Sequence, residues 1–89
     1  MTSATTQVVN ELGIHLRAAA RLVRLAENWP CAVSLTANGA TVDGKSLLGI
    51  TALLARKGTQ LTVTASGDGE EEAVAALTAL VAGGFATEP

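Results

Sequence analysis

An 89-residue chain has interior for a single core, so residues 1–89 are expected to form one domain. With 48% apolar and 16% charged residues it should fold, on a core built mainly from Ala, Leu and Val. A net charge of -2, with Trp29 and Phe85 as the only aromatic residues, argues against a nucleic-acid partner.

Met1 to Thr6 carries no basic cluster leading into an apolar run, so neither a secretory signal nor membrane insertion is expected, and the chain is assigned to the cytoplasm. The lone Cys31 cannot pair within the chain and reads as a buried small apolar residue. The longest apolar stretch, Ala73 to Ala82, is interrupted by Thr78 and falls far short of the ~20 residues of a membrane span.

In chain order, the β-branched residues of Thr5 to Asn10 predict a first strand. From Leu16 to Asn28 the period becomes helical. Leu16, Ala19, Ala20, Val23 and Ala26 form the apolar side, Arg17, Arg21, Arg24 and Asn28 the other, and Pro30 lies beyond the end.

Val33, Leu35 and Ala37 alternate with Ser34 and Thr36, Asn38-Gly39 supplies a tight hairpin turn, and Thr41 and Val42 return as its partner strand. Leu47 to Arg56 predicts a second helix, with Arg56 and Lys57 at its negative end and Gly58 as its C-terminal cap. Leu61, Val63 and Ala65 alternate with Thr62, Thr64 and Ser66 to give a fourth strand. Asp68 is expected to cap the last helix, with Glu70 to Glu72 in its first turn and Val74, Leu77, Leu80 and Val81 as its buried stripe.

The order strand, helix, strand, strand, helix, strand, helix implies an α+β fold: an open sheet with helices on one face. The hairpin favours antiparallel pairing at that point, while spatial strand order does not follow from the sequence.

His15, the only histidine, stands between Gly13 and the start of the first helix. Free amides and the positive end of a helix dipole suit a neutral ring whose nitrogen can attack phosphorus, and then suit the phosphate added to it. Arg17 offers a forked guanidinium to phosphate oxygens during an in-line transfer. Taken alone, a His-x-Arg pair more often reads as a surface histidine beside a solvated arginine.

The wider pattern reverses that weighting. Asn10 to Ala20, NELGIHLRAAA, resembles the active-site segment of the HPr proteins of the bacterial phosphoenolpyruvate-dependent sugar phosphotransferase system, and Asp43 to Ile50, DGKSLLGI, resembles the segment around that family's regulatory serine. The spacing of the two segments agrees, and Gly58, the strand from Gln60, Gly67 and the closing helix extend the resemblance over essentially the whole chain.

The resemblance implies an open-faced sandwich of four antiparallel strands covered on one face by three helices, in the order βαββαβα. It implies a stoichiometric phosphocarrier rather than an enzyme turning over a small molecule, with no cofactor and no metal, acting as a monomer. His15 would take the phosphoryl group on Nδ1 and Arg17 would assist. Enzyme I would be the donor and the A domains of enzymes II (enzyme IIA) the acceptors. Ser46, which can cap the second helix, corresponds to the serine that an HPr kinase/phosphorylase modifies in some bacteria. Two departures stand beside His15: Leu16 where the family usually has alanine, and Ala18 where it usually has proline.

Ala20 and Arg24 with Leu47, Leu48 and Thr51 could form an apolar patch with a basic border, suited to transient docking. Leu47 or Leu48 could instead belong to the core, and Arg17, Arg21 and Arg24 could be only a solvated face. A regulatory binding module of the same fold, controlled through Ser46 or serving a nitrogen-related branch, is the alternative function. Gly39 to Ser46 also satisfies the spacing of a P-loop, the mark of a nucleotide hydrolase, but Asn38-Gly39 already serves the hairpin and the chain is too short for a P-loop domain.

Overall fold

Alternation makes the sheet one-faced. In β4 (Gln60–Ser66) Leu61, Val63 and Ala65 are buried while Thr62 and Thr64 stay half-buried on the opposite side. β2 (Ala32–Ala37) repeats the pattern with Val33, Leu35 and Ala37, and its register sets Leu35 opposite Val63 and Val33 opposite Ala65. β1 (Thr2–Gln7) and β3 (Ala40–Asp43) form the two edges, giving a fully antiparallel sheet in the order β1-β4-β2-β3. This computed structural model describes residues 1–85.

The uncovered face carries cross-strand hydroxyl pairs: Ser3 with Thr64 at 2.9 Å, Thr5 with Thr62 at 3.1 Å and Thr36 with Thr41 at 2.8 Å. Across the other face lie α1 (Leu16–Ala26), α2 (Leu47–Ala52) and α3 (Glu70–Ala82). The core between the layers joins Leu22 of α1, Ile50 of α2 and Leu77 of α3 to Leu35 and Leu61 of the sheet, all essentially fully buried. Each such side chain contributes about 1.5–3 kcal/mol from leaving water. The α+β, βαββαβα open-faced sandwich is the expected fold.

Four local expectations need correction. The first strand is Thr2–Gln7 rather than Thr5 to Asn10. Val8 follows it as a buried residue whose N–H donates to Thr59 O at 2.9 Å and whose carbonyl accepts from Gly58 N–H at 2.7 Å. Gly58 therefore belongs to this link and caps no helix.

The first helix ends at Ala26, not Asn28, and its buried face is Ala18, Ala19, Leu22 and Ala26. Burial of Ala18, Ala19, Leu22 and Ala26 sets the helix rotation, leaving Leu16 exposed and Ala20 and Val23 half-buried.

The second helix stops at Ala52 rather than Arg56. Asn38 Nδ2 takes up the Leu53 carbonyl at 3.0 Å, Leu54 turns to φ +53°, and Ala55 O accepts from Ile14 N–H at 2.8 Å, so the chain is drawn out of the helix. Finally, Gly69 rather than Asp68 holds the N-cap position of α3. Glu70 supplies the local bonds: its Oε1 accepts from Gly67 N–H at 3.0 Å and its Oε2 from the Thr2 hydroxyl at 2.6 Å. Leu80 lies at the margin of the core, and Ala73 takes the buried place beside Val74, Leu77 and Val81.

The hairpin is as expected, with Asn38 and Gly39 at φ +53° and +79°, the geometry of a two-residue hairpin turn. The P-loop spacing is thereby split among a turn, an edge strand and a helix cap. Lys45 Nζ, the would-be phosphate ligand, donates instead to the carbonyls of Trp29 and Cys31 at 2.7 and 2.9 Å. Cys31 is buried, as expected. Among the described residues no helix is long and apolar enough to cross a membrane.

Candidate functional site

The backbone before α1 is built around Gly13. Its N–H donates to Asn10 O at 3.0 Å, closing a turn, and the next amide, Ile14 N–H, is held by Ala55 O at 2.8 Å. Ile14 is buried, and the following residue, His15, is extended at φ -79° and ψ -179° and occupies the N-cap position of α1. Its carbonyl accepts the first helical bond, from Ala19 N–H at 2.8 Å.

The imidazole itself caps the helix. Arg17 N–H donates to His15 Nδ1 at 3.2 Å, which requires a lone pair on that nitrogen and leaves the ring's proton on Nε2. The first turn of α1 contains no acidic residue, so the positive end of the helix is available to an anion. The first turn of α3, by contrast, carries Glu70, Glu71 and Glu72.

His15 and the exposed Arg17 share an open depression of about 650 Å³ with Asn10, Glu11, Leu12, Leu16, Arg21 and Phe85. Among the described residues Glu11 is the one carboxylate lining it. A hydrogen bond from Lys57 at 2.6 Å, reinforced by the charge of that ammonium, holds the Glu11 carboxyl below its ordinary range and offsets its charge. Arg21 Nη1 donates to Phe85 O at 3.4 Å and so ties α1 to the end of α3.

Ser46 is the N-cap of α2, its Oγ accepting from Gly49 N–H at 3.0 Å, and it does not line the depression around His15. Ala20 and Arg24 lie on α1 while Leu47, Leu48 and Thr51 lie on α2, and the two helices pack side by side. Neither leucine is a core residue: Leu47 is 38% exposed and Leu48 82%, and Ile50 fills the core instead. The Thr51 hydroxyl donates back to the carbonyls of Leu47 and Leu48, at 3.1 and 3.0 Å. Leu16, 65% exposed, and Leu12 extend apolar surface to the lip of the histidine depression.

Asn10, Leu12 and Phe85 line the site without having been singled out by sequence reasoning. The Asn10-x-x-Gly13 spacing was the available signal for the first, since asparagine with glycine three residues on is a turn pattern.

A βαββαβα open-faced sandwich presenting one imidazole at an uncompensated helix start defines a small histidine phosphocarrier. Comparison with known proteins agrees. The family model described as "PTS HPr component phosphorylation site" matches residues 2–83. The phosphocarrier protein HPr of Cupriavidus necator is 41% identical over 85 residues, 96% of each chain, and that of Pseudomonas aeruginosa is 40% identical over 82 residues, 91% of each. The crystal structure of HPr-C-His from Thermoanaerobacter tengcongensis superposes with a TM-score of 0.92 at 32% identity and covers 100% of both chains. The chain belongs to the HPr family of phosphocarrier proteins of the phosphotransferase system.

Proposed function

We propose that His15 Nδ1 receives a phosphoryl group from phosphorylated enzyme I and yields it to enzyme IIA domains during sugar uptake, with the protein acting as a monomer in the cytoplasm. The observation that carries this reading is the Nδ1 lone pair, held at the start of a helix whose first turn has no carboxylate.

In the transfer the Nδ1 lone pair forms the bond to phosphorus while the bond from phosphorus to the donor's leaving atom breaks. No proton has to leave Nδ1. Once that lone pair is used, the Arg17 N–H can no longer donate to Nδ1 and turns to a phosphate oxygen, joining the other amides of the first turn. The Arg17 guanidinium adds a charge-assisted contact. The bound phosphate is thus stabilised by groups that move little between the two states, which suits a carrier that must both accept and release.

The apolar and basic surface of α1 and α2, made of Ala20, Arg24, Leu47, Leu48 and Thr51, docks the partners. Ser46 secures the α2 end of that surface through its cap. Intact-mass analysis after incubation with phosphoenolpyruvate and enzyme I tests the reading. One acid-labile phosphoryl group, absent in His15→Ala, is the expected result. An unmodified wild-type chain beside a competent enzyme I would overturn it.

A further inference from the structure

Two amides converge on the Gly13 carbonyl. One is the backbone N–H of His15, at 3.1 Å across a tight three-residue turn, and the other is the side chain of Asn10, whose Nδ2 donates at 2.7 Å. Asn10 also receives the Gly13 N–H on its own carbonyl at 3.0 Å, so one residue grips Gly13 from both sides. The peptide unit between Gly13 and Ile14 is then fixed at both ends, its oxygen by Asn10 and its N–H by Ala55 O at 2.8 Å. That peptide leads directly into His15.

The Asn10 amide can take only one orientation. Turned over, it would set Oδ1 against the Gly13 oxygen, two acceptors facing each other at the same separation. The group is therefore a directed donor, and a donor is what the Gly13 carbonyl lacks apart from the bent bond to His15 N–H.

We propose that Asn10 is a positioning residue for phosphoryl transfer: by orienting the Gly13–Ile14 peptide it sets the direction in which the His15 ring presents Nδ1. The inference rests on His15 as the phosphoryl acceptor. It places Asn10 two hydrogen bonds from the His15 backbone, acting on the ring through the Gly13 carbonyl. An in-line transfer is sensitive to the direction of the attacking lone pair, so loosening that peptide should slow chemistry and leave docking alone.

Asn10→Ala and Asn10→Leu, which keeps much of the shape but can neither donate nor add charge, are compared with wild type where amide spectra show all three folded. Transfer from phosphorylated enzyme I at saturating carrier should fall about tenfold in both while KM stays within about twofold. The ¹⁵N spectrum of the unphosphorylated His15 ring should lose the shift pattern of an Nδ1 acceptor with the proton on Nε2. Unchanged rate and ring spectrum in folded variants would overturn the proposal, as would a rise in KM alone. Failure of wild type to be phosphorylated would instead overturn the assignment of His15 as acceptor, and the ring spectrum would still decide the role of Asn10.

Discussion

Between Gly13 and Ala55 there is no room for a side chain: a Cβ on Gly13 would stand 2.5 Å from the Ala55 carbonyl oxygen and 2.8 Å from Arg56 Cα. The contact is the close approach that lets Ala55 O hold Ile14 N–H just upstream of His15. Gly13 is also at φ +66°, where an L-residue costs about 1–2 kcal/mol before any clash. Gly13→Ala should therefore lose about 2–4 kcal/mol in denaturant unfolding and transfer phosphate poorly even where it remains folded. A stability within about 0.5 kcal/mol of wild type would show that the two segments can part freely.

That contact also marks the limit of what the sequence discloses. β2 and β4 are legible because Leu and Val alternate strictly with Ser and Thr, and the hairpin because Asn38-Gly39 suits both left-handed positions. β1 is not, because Thr and Ser occupy four of its six positions and its place is fixed by pairing with residues about sixty positions away. The end of α2 is hidden for the same reason: Leu53 to Arg56 is helical in composition, yet Asn38 and Ile14 from elsewhere in the chain take its polar groups. The N-cap place of His15 is legible because a helix start is local, while a phosphoryl role for His15 and Arg17 rests on the resemblance of the whole Asn10 to Ala20 segment. The contact of Asn10 is made through a turn whose hydrogen bonds no periodicity reveals.

The Ser46 cap has a separable structural value. Its Oγ satisfies Gly49 N–H in a helix of only six residues, so removal leaves little else to hold that end. Ser46→Ala should cost about 1 kcal/mol, read as a lower urea midpoint at unchanged slope. Ser46→Asp keeps an acceptor at the cap and should recover most of that loss, while its charge beside Leu47 and Leu48 weakens docking of enzyme I, seen as a raised KM. Equal stability for Ser46→Ala and wild type would contradict the cap's contribution.

Glu70 ties the edge strand to α3 and gives stability a pH dependence. A hydrogen bond from the Met1 ammonium, then one from the Thr2 hydroxyl and one from Gly67 N–H, hold its carboxyl down to about 2 from an ordinary 4.5. A carboxyl whose folded value is depressed stabilises the fold above its unfolded value and loses that contribution as pH falls through its folded value. Stability should thus decline from about pH 4.5 toward pH 2. Glu70→Gln should flatten that part of the curve, with the difference from wild type present at neutral pH and largely lost by about pH 2. The ammonium contact lies near solvent, so added salt should shrink the difference. Parallel curves for the two proteins across this window would refute the linkage.

Leu54 is the least comfortable residue of the α2 to β4 connection. It lies at φ +53°, where a side chain with a Cβ is strained by about 1–2 kcal/mol, and it is 69% exposed, so little apolar burial repays that strain. Glycine removes the strain but adds about 0.5–1 kcal/mol of backbone entropy to the unfolded chain. The balance favours Leu54→Gly by a few tenths to about 1 kcal/mol, which for a chain of this size raises the melting temperature by up to about 4–8 °C. Because Leu54 does not line the depression around His15, the phosphoryl-transfer rate at saturating carrier should not change. Calorimetry beside a transfer assay separates the two effects. A lower melting temperature would mean that Leu54 makes contacts worth more than its strain, and a slower transfer at higher stability would place its side chain under an incoming partner.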